Sequence, residues 1–196
     1  MRSPVRLKNF RPRLLPIWAL WIAALLLSQP TPVGAAVGGG MVVVGGLLRT
    51  WGAGHLVKNE RLTVTGPYAH LRHPLYAGSL LLGVGTAIIV GGAWALVLLA
   101  VLLPWFFASY FPHKERSEGA KLEARYGAAY ADYRAAVPAL LPRLRAWAPS
   151  TETGASAPSG HGRWSGRCYV DNNELGTALG LMAGLSVYAV RASLPL

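Results

Sequence analysis

No charged residue occurs between Leu75 and Pro112. An uncharged stretch of that extent is too long for a single membrane crossing of about 20 residues. Gly91-Gly92 lies near its middle, where a tight turn costs little backbone strain. The run therefore predicts a helical hairpin with arms over residues 75–90 and 93–111. Gly78, Gly83 and Gly85, with Ala77 and Ser79, give the first arm small residues for close helix packing.

The remaining apolar segments fit the same environment. Hydrophobic residues make up 53% of the chain and charged residues 14%, a balance that points to a membrane protein. Val33–Trp51 is rich in Gly and Ala and has the length of a span. Leu14–Leu27 is roughly 14 residues, short for a crossing. It reads either as a first span that draws on its flanks or, with Gly34-Ala35-Ala36 behind it, as a signal-like segment. Leu175–Val190 is barely long enough to cross and could instead pack against the bundle.

The expected fold class is an all-α membrane protein of about five transmembrane helices, with a helical hairpin and a cytoplasmic amphipathic helix. Four segments follow: 1–32, a basic N-terminus and first span; 33–142, a membrane core; 143–174, a flexible cytoplasmic segment; and 175–196, a C-terminal span. The Ser, Thr, Gly, Ala and Pro of residues 149–167 are the composition of a segment that need not fold.

A net charge of +11 raises the question of nucleic acid, but the basic residues flank apolar runs instead of forming one soluble patch. With the N-terminus inside, 18 of the 19 Lys and Arg residues fall on the cytoplasmic side, Arg191 being the exception. The reading is an integral membrane protein that binds no nucleic acid and shows no evident protein partner. Cys168 is the only cysteine, which excludes an intrachain disulfide and a cysteine-based metal cluster.

The polar residues concentrate in Gly66-Pro67-Tyr68-Ala69-His70-Leu71-Arg72-His73-Pro74-Leu75-Tyr76. Pro67 and Pro74 bar a continuous helix and favour a bent segment with one turn near Ala69–Arg72. Such a segment delivers Tyr68, Arg72, His73 and Tyr76 to one place at the membrane edge, where polar residues are functional candidates. Downstream, Leu122, Tyr126, Tyr130, Tyr133 and Val137 recur at steps of four, four, three and four, an amphipathic stripe. Extended back by four, the stripe reaches Glu118. The spacing leaves two readings of that carboxylate open, a site residue or an ion pair with Lys114 or Lys121.

His70-Leu-Arg-His73 has imidazoles suited to a metal, but Arg72 stands between them and nearby acids are scarce. Cations, imidazole and phenols with one separated carboxylate suit a zwitterionic ligand better. The donors serve its carboxylate, and Glu118 serves an ammonium or a ribose diol. No metal site is expected.

These residues resemble the isoprenylcysteine carboxyl methyltransferases and the wider phospholipid methyltransferase group. The likeness runs from His55-Leu-Val-Lys-Asn-Glu through Leu62-Thr-Val-Thr-Gly-Pro-Tyr68 to Arg72-His73-Pro74-Leu75-Tyr76, then resumes at Glu118, Tyr126-Gly127, Tyr130, Tyr133 and Val137-Pro138. It spans roughly residues 40–142. The resemblance implies a membrane methyltransferase that holds S-adenosyl-L-methionine in a cytoplasmic pocket and accepts a lipophilic substrate from the membrane lipid. It further implies cofactor contacts from Lys58, Glu60, Arg61, Leu62, Thr63, Tyr68, His73, Pro74, Leu75, Tyr76 and Glu118, with Arg72 and Lys114 on the acceptor side. The pattern departs from the family at Gly119, where a second glutamate is usual, and at Lys114, which stands in place of arginine.

Two further readings compete. One is an NADPH-dependent reductase of lipid double bonds, although the compact chain offers no obvious place for the second half of a dinucleotide. The other is a non-enzymatic membrane module in which Arg72 and Glu118 form a structural ion pair.

Overall fold

The computed structural model describes Leu26 and residues 28–57, 62–148 and 162–193. The first apolar run, but for Leu26, lies outside the described residues, as do Lys58, Glu60 and Arg61. The described residues are helical and contain no strand. Helix α1 spans Pro32–His55; Thr31 caps it by accepting from the Gly34 N–H at 3.0 Å, and Pro32 opens it. After a short 3-10 turn over Gly66–Ala69 comes α2, Pro74–Val90.

Gly91 and Gly92, both at positive φ, then reverse the chain into α3, Gly92–Pro104. The expected hairpin is therefore present. Its second arm does not stop near residue 111, however. A π-helical turn over Trp105–Tyr110 leads without a break into α4, Phe111–Tyr126. The Phe111 N–H bonds back to the Phe106 carbonyl, and the wide turn ends at Pro112, which has no N–H to give. The two prolines thus sit within one helix of 35 residues, Gly92–Tyr126.

The predicted amphipathic helix that carries the stripe from Glu118 to Val137 breaks at Gly127, φ +51°, and resumes as α5, Ala128–Ala136. A short α6, Gly166–Asp171, and a long α7, Glu174–Ser193, complete the described chain. Among the described residues, Pro32–His55 and Gly92–Tyr126 are long and apolar enough to cross a membrane. Pro74–Val90 and Glu174–Ala189 are shorter apolar helices.

Glycines set the closest contact in the fold. A Cβ on Gly38 would come within 2.5 Å of the Gly85 carbonyl oxygen, and one on Gly45 within 2.8 Å of that of Gly78. The approach is reciprocal, so α1 and α2 run antiparallel with their backbones touching at two levels. The small-residue reading of Gly78 and Gly85 is the one the packing uses. The end of α1 and the start of α2 therefore share one end of the bundle, and the Gly91 turn lies at the other. There the Gln29 N–H bonds to the Val90 carbonyl at 2.9 Å.

Helix α7 lies along this pair. Leu181 and Tyr188 pack on the buried cluster of Val42, Leu82 and Ile89. Residues 162–174, expected to be flexible, instead cap the end of α1. Trp164 donates to the Thr50 carbonyl at 3.0 Å, Ser165 N–H to Gly54, and Asn172 Nδ2 to Ala53 and Leu56 at 2.8 Å. Carbonyls that a helix C-terminus leaves unpaired are thereby satisfied.

Candidate functional site

The polar stretch folds at the end of the bundle where α1 ends, α2 begins and α3 returns. Its turn forms slightly earlier than expected, over Gly66–Ala69, with Pro67 at the start. Gly66 has φ +60°, and a Cβ there would meet the His55 ring at 2.6 Å, so only glycine fits. Pro74 then opens α2 with His73 as its N-cap residue.

The segment is strapped down by backbone further along the chain. Arg72 N–H donates to Pro138 and His73 N–H to Ala139, at 2.9 and 3.0 Å. Arg143 N–H donates to the His70 carbonyl and Trp147 N–H to that of Ala69. Tyr133 donates its hydroxyl to the Tyr68 carbonyl at 2.7 Å. The amphipathic stripe closes over the same region: Tyr130, Tyr133 and Val137 are buried with Val64, and Leu62, Leu122 and Tyr126 pack around them.

Glu118 meets the cluster as the stripe suggested. Tyr76 donates its hydroxyl to Glu118 Oε1, joining the first turn of α2 to α4. The Glu118 pairing with Lys114 or Lys121 does not appear among the described ion pairs, nor does Arg72 with Glu118. The partner of Arg72 is Glu115, at 2.8 Å from Nη2, while Arg72 Nε donates to the Val137 carbonyl at 2.9 Å. Glu115 was missed in the sequence. The signal for it was its place three residues before Glu118, on the same face of the helix.

Aromatic rings wall the site. His73 stacks on Tyr76 with ring centres 5.4 Å apart and meets the edge of Phe111 at the same distance. Tyr110 and Phe111, consecutive residues leaving the π turn, both contact Tyr76.

Three buried polar atoms here have no hydrogen-bond partner among the described residues: Tyr68 Oη, Arg72 Nη1 and His73 Nε2. A fourth, Ser28 Oγ, belongs to the segment before α1. Burial holds the His73 imidazole below its ordinary pKa, with Glu115 pulling back and Arg72 pushing the same way as burial. Burial, with Tyr133 and Glu118 adding to it, raises the Tyr68 phenol, which stays protonated. The segment thus carries a neutral imidazole, a phenol O–H and one guanidinium N–H, with Glu118 held by Tyr76.

The other expected residues are engaged in packing and backbone contacts. Leu62 packs against the tyrosine stripe, and Thr63 Oγ1 accepts from the Val57 N–H at 3.3 Å. Pro74 and Leu75 lie over Gly52 of α1. Lys114 is half-exposed on α4, one turn before Glu118. Gly119 is buried, and a Cβ there would press on the Tyr130 hydroxyl at 3.2 Å.

A second partly buried arginine was also missed. Arg49, alone among the residues of Val33–Trp51 in carrying a charge, grips Glu174 through Nε and Nη2. Its Nη1 reaches the Leu75 carbonyl at 3.0 Å and Ser79 Oγ. An ionisable residue inside an apolar run was the available signal.

Residues 34–128 match the family model described as phospholipid methyltransferase. Over this stretch, just under half of its length, the chain is similar to that family. The Arabidopsis thaliana protein-S-isoprenylcysteine O-methyltransferase B is 31% identical over 114 residues, 52% of this chain and 56% of the relative. The corresponding Schizosaccharomyces pombe enzyme is 32% identical over 95 residues, 46% and 39% of the two chains. The nickel-cobalt-cadmium resistance protein NccN of Alcaligenes xylosoxydans xylosoxydans is 36% identical over 126 residues, 63% and 53%. The chain spans about half the length of most of the curated relatives it matches. No solved structure matches it.

Proposed function

We propose that this chain is an integral-membrane methyltransferase that moves a methyl group from S-adenosyl-L-methionine to a lipophilic acceptor at the cytoplasmic face. The observation that carries the reading is the presence of three unpartnered buried atoms, Tyr68 Oη, Arg72 Nη1 and His73 Nε2, within six residues of the segment that the Tyr76–Glu118 bond ties to α4. Burying polar atoms without partners costs folding free energy, so a site that concentrates them is built for a polar ligand. The donor set fits this one: Tyr68 and Arg72, the latter moved here from the acceptor side where the resemblance put it, donate to a carboxylate, and Glu118 accepts from an ammonium or a ribose diol.

Bound there, the cofactor supplies a sulfonium-activated methyl for in-line displacement. The residues supply position and dryness. Tyr76 fixes Glu118, Glu115 and the Val137 carbonyl fix the Arg72 plane, and the aromatic wall of Tyr110 and Phe111 excludes water. Holding two reactants in line is worth up to about 7–11 kcal/mol in favourable cases. A carboxylate acceptor needs no general base, and an amine acceptor has to arrive neutral. The acceptor class is a prenylcysteine-type carboxylate or a lipid amine, with Lys114 on its side of the site. Lysine offers a point charge in place of a bidentate fork.

Titration calorimetry of the purified protein in detergent with S-adenosylmethionine and its demethylated product tests the reading. Saturable binding lost in His73→Ala and in Glu118→Gln is expected; no binding by the native chain would refute it. Labelled S-adenosylmethionine offered with prenylcysteine analogues, aminophospholipids and quinone-like lipids then identifies the acceptor.

A further inference from the structure

The loop after α5 turns its backbone and Trp147 inward, the latter onto Tyr133, and Leu141 and Leu144 outward. Pro138 and Pro142 prevent it from continuing as helix. Its inner edge is spent on the polar cluster: the carbonyls of Pro138 and Ala139 accept from Arg72 and His73, and Arg143 N–H donates to His70. The His70 ring closes the strap through Nδ1 and the Arg143 carbonyl, 2.9 Å apart. A loop tied at so many points cannot fold its outer residues in. Those residues include Leu141, 79% exposed, and Leu144, 99% exposed.

The level of the loop is set by Trp51. This residue stands in the last turn of α1, a helix of membrane-crossing length, and is 43% exposed beside the exposed Leu47. Its ring lies 6.2 Å from that of His70, which holds Arg143. Leu144, the next residue, thus emerges near the end of a span, the depth at which tryptophan marks a membrane–water boundary.

Charge identifies the partner. Between Tyr133 and Ala148 the sequence has Arg134, Arg143 and Arg145 and no acid. Arg134 and Arg145 are exposed, and Arg143 is half-exposed with Nη1 on the Ala136 carbonyl. Outward leucines interleaved with arginines beside a span match an anionic leaflet, acyl chains below and phosphates around.

We propose that the loop over residues 138–148 seats Leu141 and Leu144 in the headgroup region of an anionic lipid leaflet. The proposal does not depend on the methyl-transfer reading. Because the same loop bonds His70, Arg72 and His73, leaflet contact and polar cluster share one rigid strap.

The test uses the full chain with Cys168→Ser, which removes the sole cysteine, and Leu144→Cys or Leu141→Cys carrying a bimane label. Each is reconstituted in nanodiscs of phosphatidylcholine with or without phosphatidylglycerol. Both replaced side chains face outward, so folding is expected to survive, and a melting curve checks it. Expected are quenching by brominated acyl chains, protection from iodide, and bromolipid quenching about twofold stronger in the anionic discs. Quenching by iodide alone places the loop in water and overturns the proposal. Resistance to both quenchers means that protein covers the leucines, either residues 149–161 or a second copy, and overturns it equally. Equal quenching in neutral discs removes the anionic preference and overturns that commitment.

Discussion

Two arginines are partly buried at the end of the bundle where α1 ends and α2 begins, and the fold uses them differently. Arg49 has every arm of its guanidinium engaged: Nε and Nη2 on Glu174, Nη1 on the Leu75 carbonyl and Ser79. It ties α1, α2 and α7 into one joint. Arg72 is held by Glu115 and the Val137 carbonyl but keeps Nη1 without a partner among the described residues. A saturated buried cation is a structural rivet. An unsaturated one, beside two other orphaned atoms, carries a cost that folding alone does not explain. The contrast separates a joint that holds the bundle from a cluster prepared for a ligand.

Breaking the rivet gives the largest expected effect. Glu174→Leu leaves Arg49 charged, partly buried and without its carboxylate, which costs up to about 3–5 kcal/mol of stability. The double variant Arg49→Met/Glu174→Leu removes both charges and should recover most of that loss, since apolar replacements of buried pairs are often neutral. Chemical denaturation in detergent of the two singles and the double gives the coupling. If the double is as unstable as Glu174→Leu, the pair is not the rivet the geometry describes.

Arg72 should behave in the opposite way. Arg72→Lys keeps the charge near Glu115, but one ammonium cannot also serve the Val137 carbonyl and the direction of Nη1. Affinity for S-adenosylmethionine should fall roughly tenfold or more, about 1.4 kcal/mol. The melting temperature should move less than for Glu174→Leu. A lysine variant that binds as tightly as the native chain would make Arg72 a second rivet and erase the distinction.

The sequence carried more of the fold than of the site's wiring. The uncharged run and the Gly91-Gly92 pair specified the hairpin because both signals are local. The tyrosine stripe was legible for the same reason, and extending it by one step led to Glu118. What escaped were the long-range partners. Glu115 and Glu118 share a helix face, and periodicity alone cannot say which meets Arg72 and which meets Tyr76. Glu174 lies 125 positions from Arg49, and only the packing of α7 along α1 brings them together. The continuity of α3 into α4 was hidden at Pro112, where the uncharged run ends and the arm over 93–111 was expected to stop; the π turn before it carries the helix through.

A smaller effect probes the strap that holds Tyr68. Tyr133→Phe removes the hydroxyl bonded to the Tyr68 carbonyl and leaves that acceptor buried. The expected loss is about 1–2 kcal/mol in stability, with a modest weakening of cofactor binding. Denaturation and calorimetry on one preparation separate the two. A loss of binding with no loss of stability would place Tyr133 in contact with the ligand itself.

The smallest effect is the pH dependence of the cluster, because one proton is involved and the two glutamates offset part of the burial. His73 has a folded-state pKa below its unfolded one, so the unfolded chain takes up a proton first as pH falls. Above the ordinary histidine value of about 6.5 both states are neutral at this position and it contributes no pH dependence. Stability should then decline as pH drops from there toward the lowered folded pKa, and level off below it. Cofactor binding by the folded protein should change only at lower pH, as the ring takes up a proton at the lowered folded pKa and becomes a second cation beside Arg72. The difference between native and His73→Asn profiles isolates the effect from other titrating groups. If the native profile declines instead as pH rises through that range, His73 is held charged in the folded protein. The cluster would then carry two cations against Glu115 and Glu118, closer to the saturated state of Arg49 than to an open site.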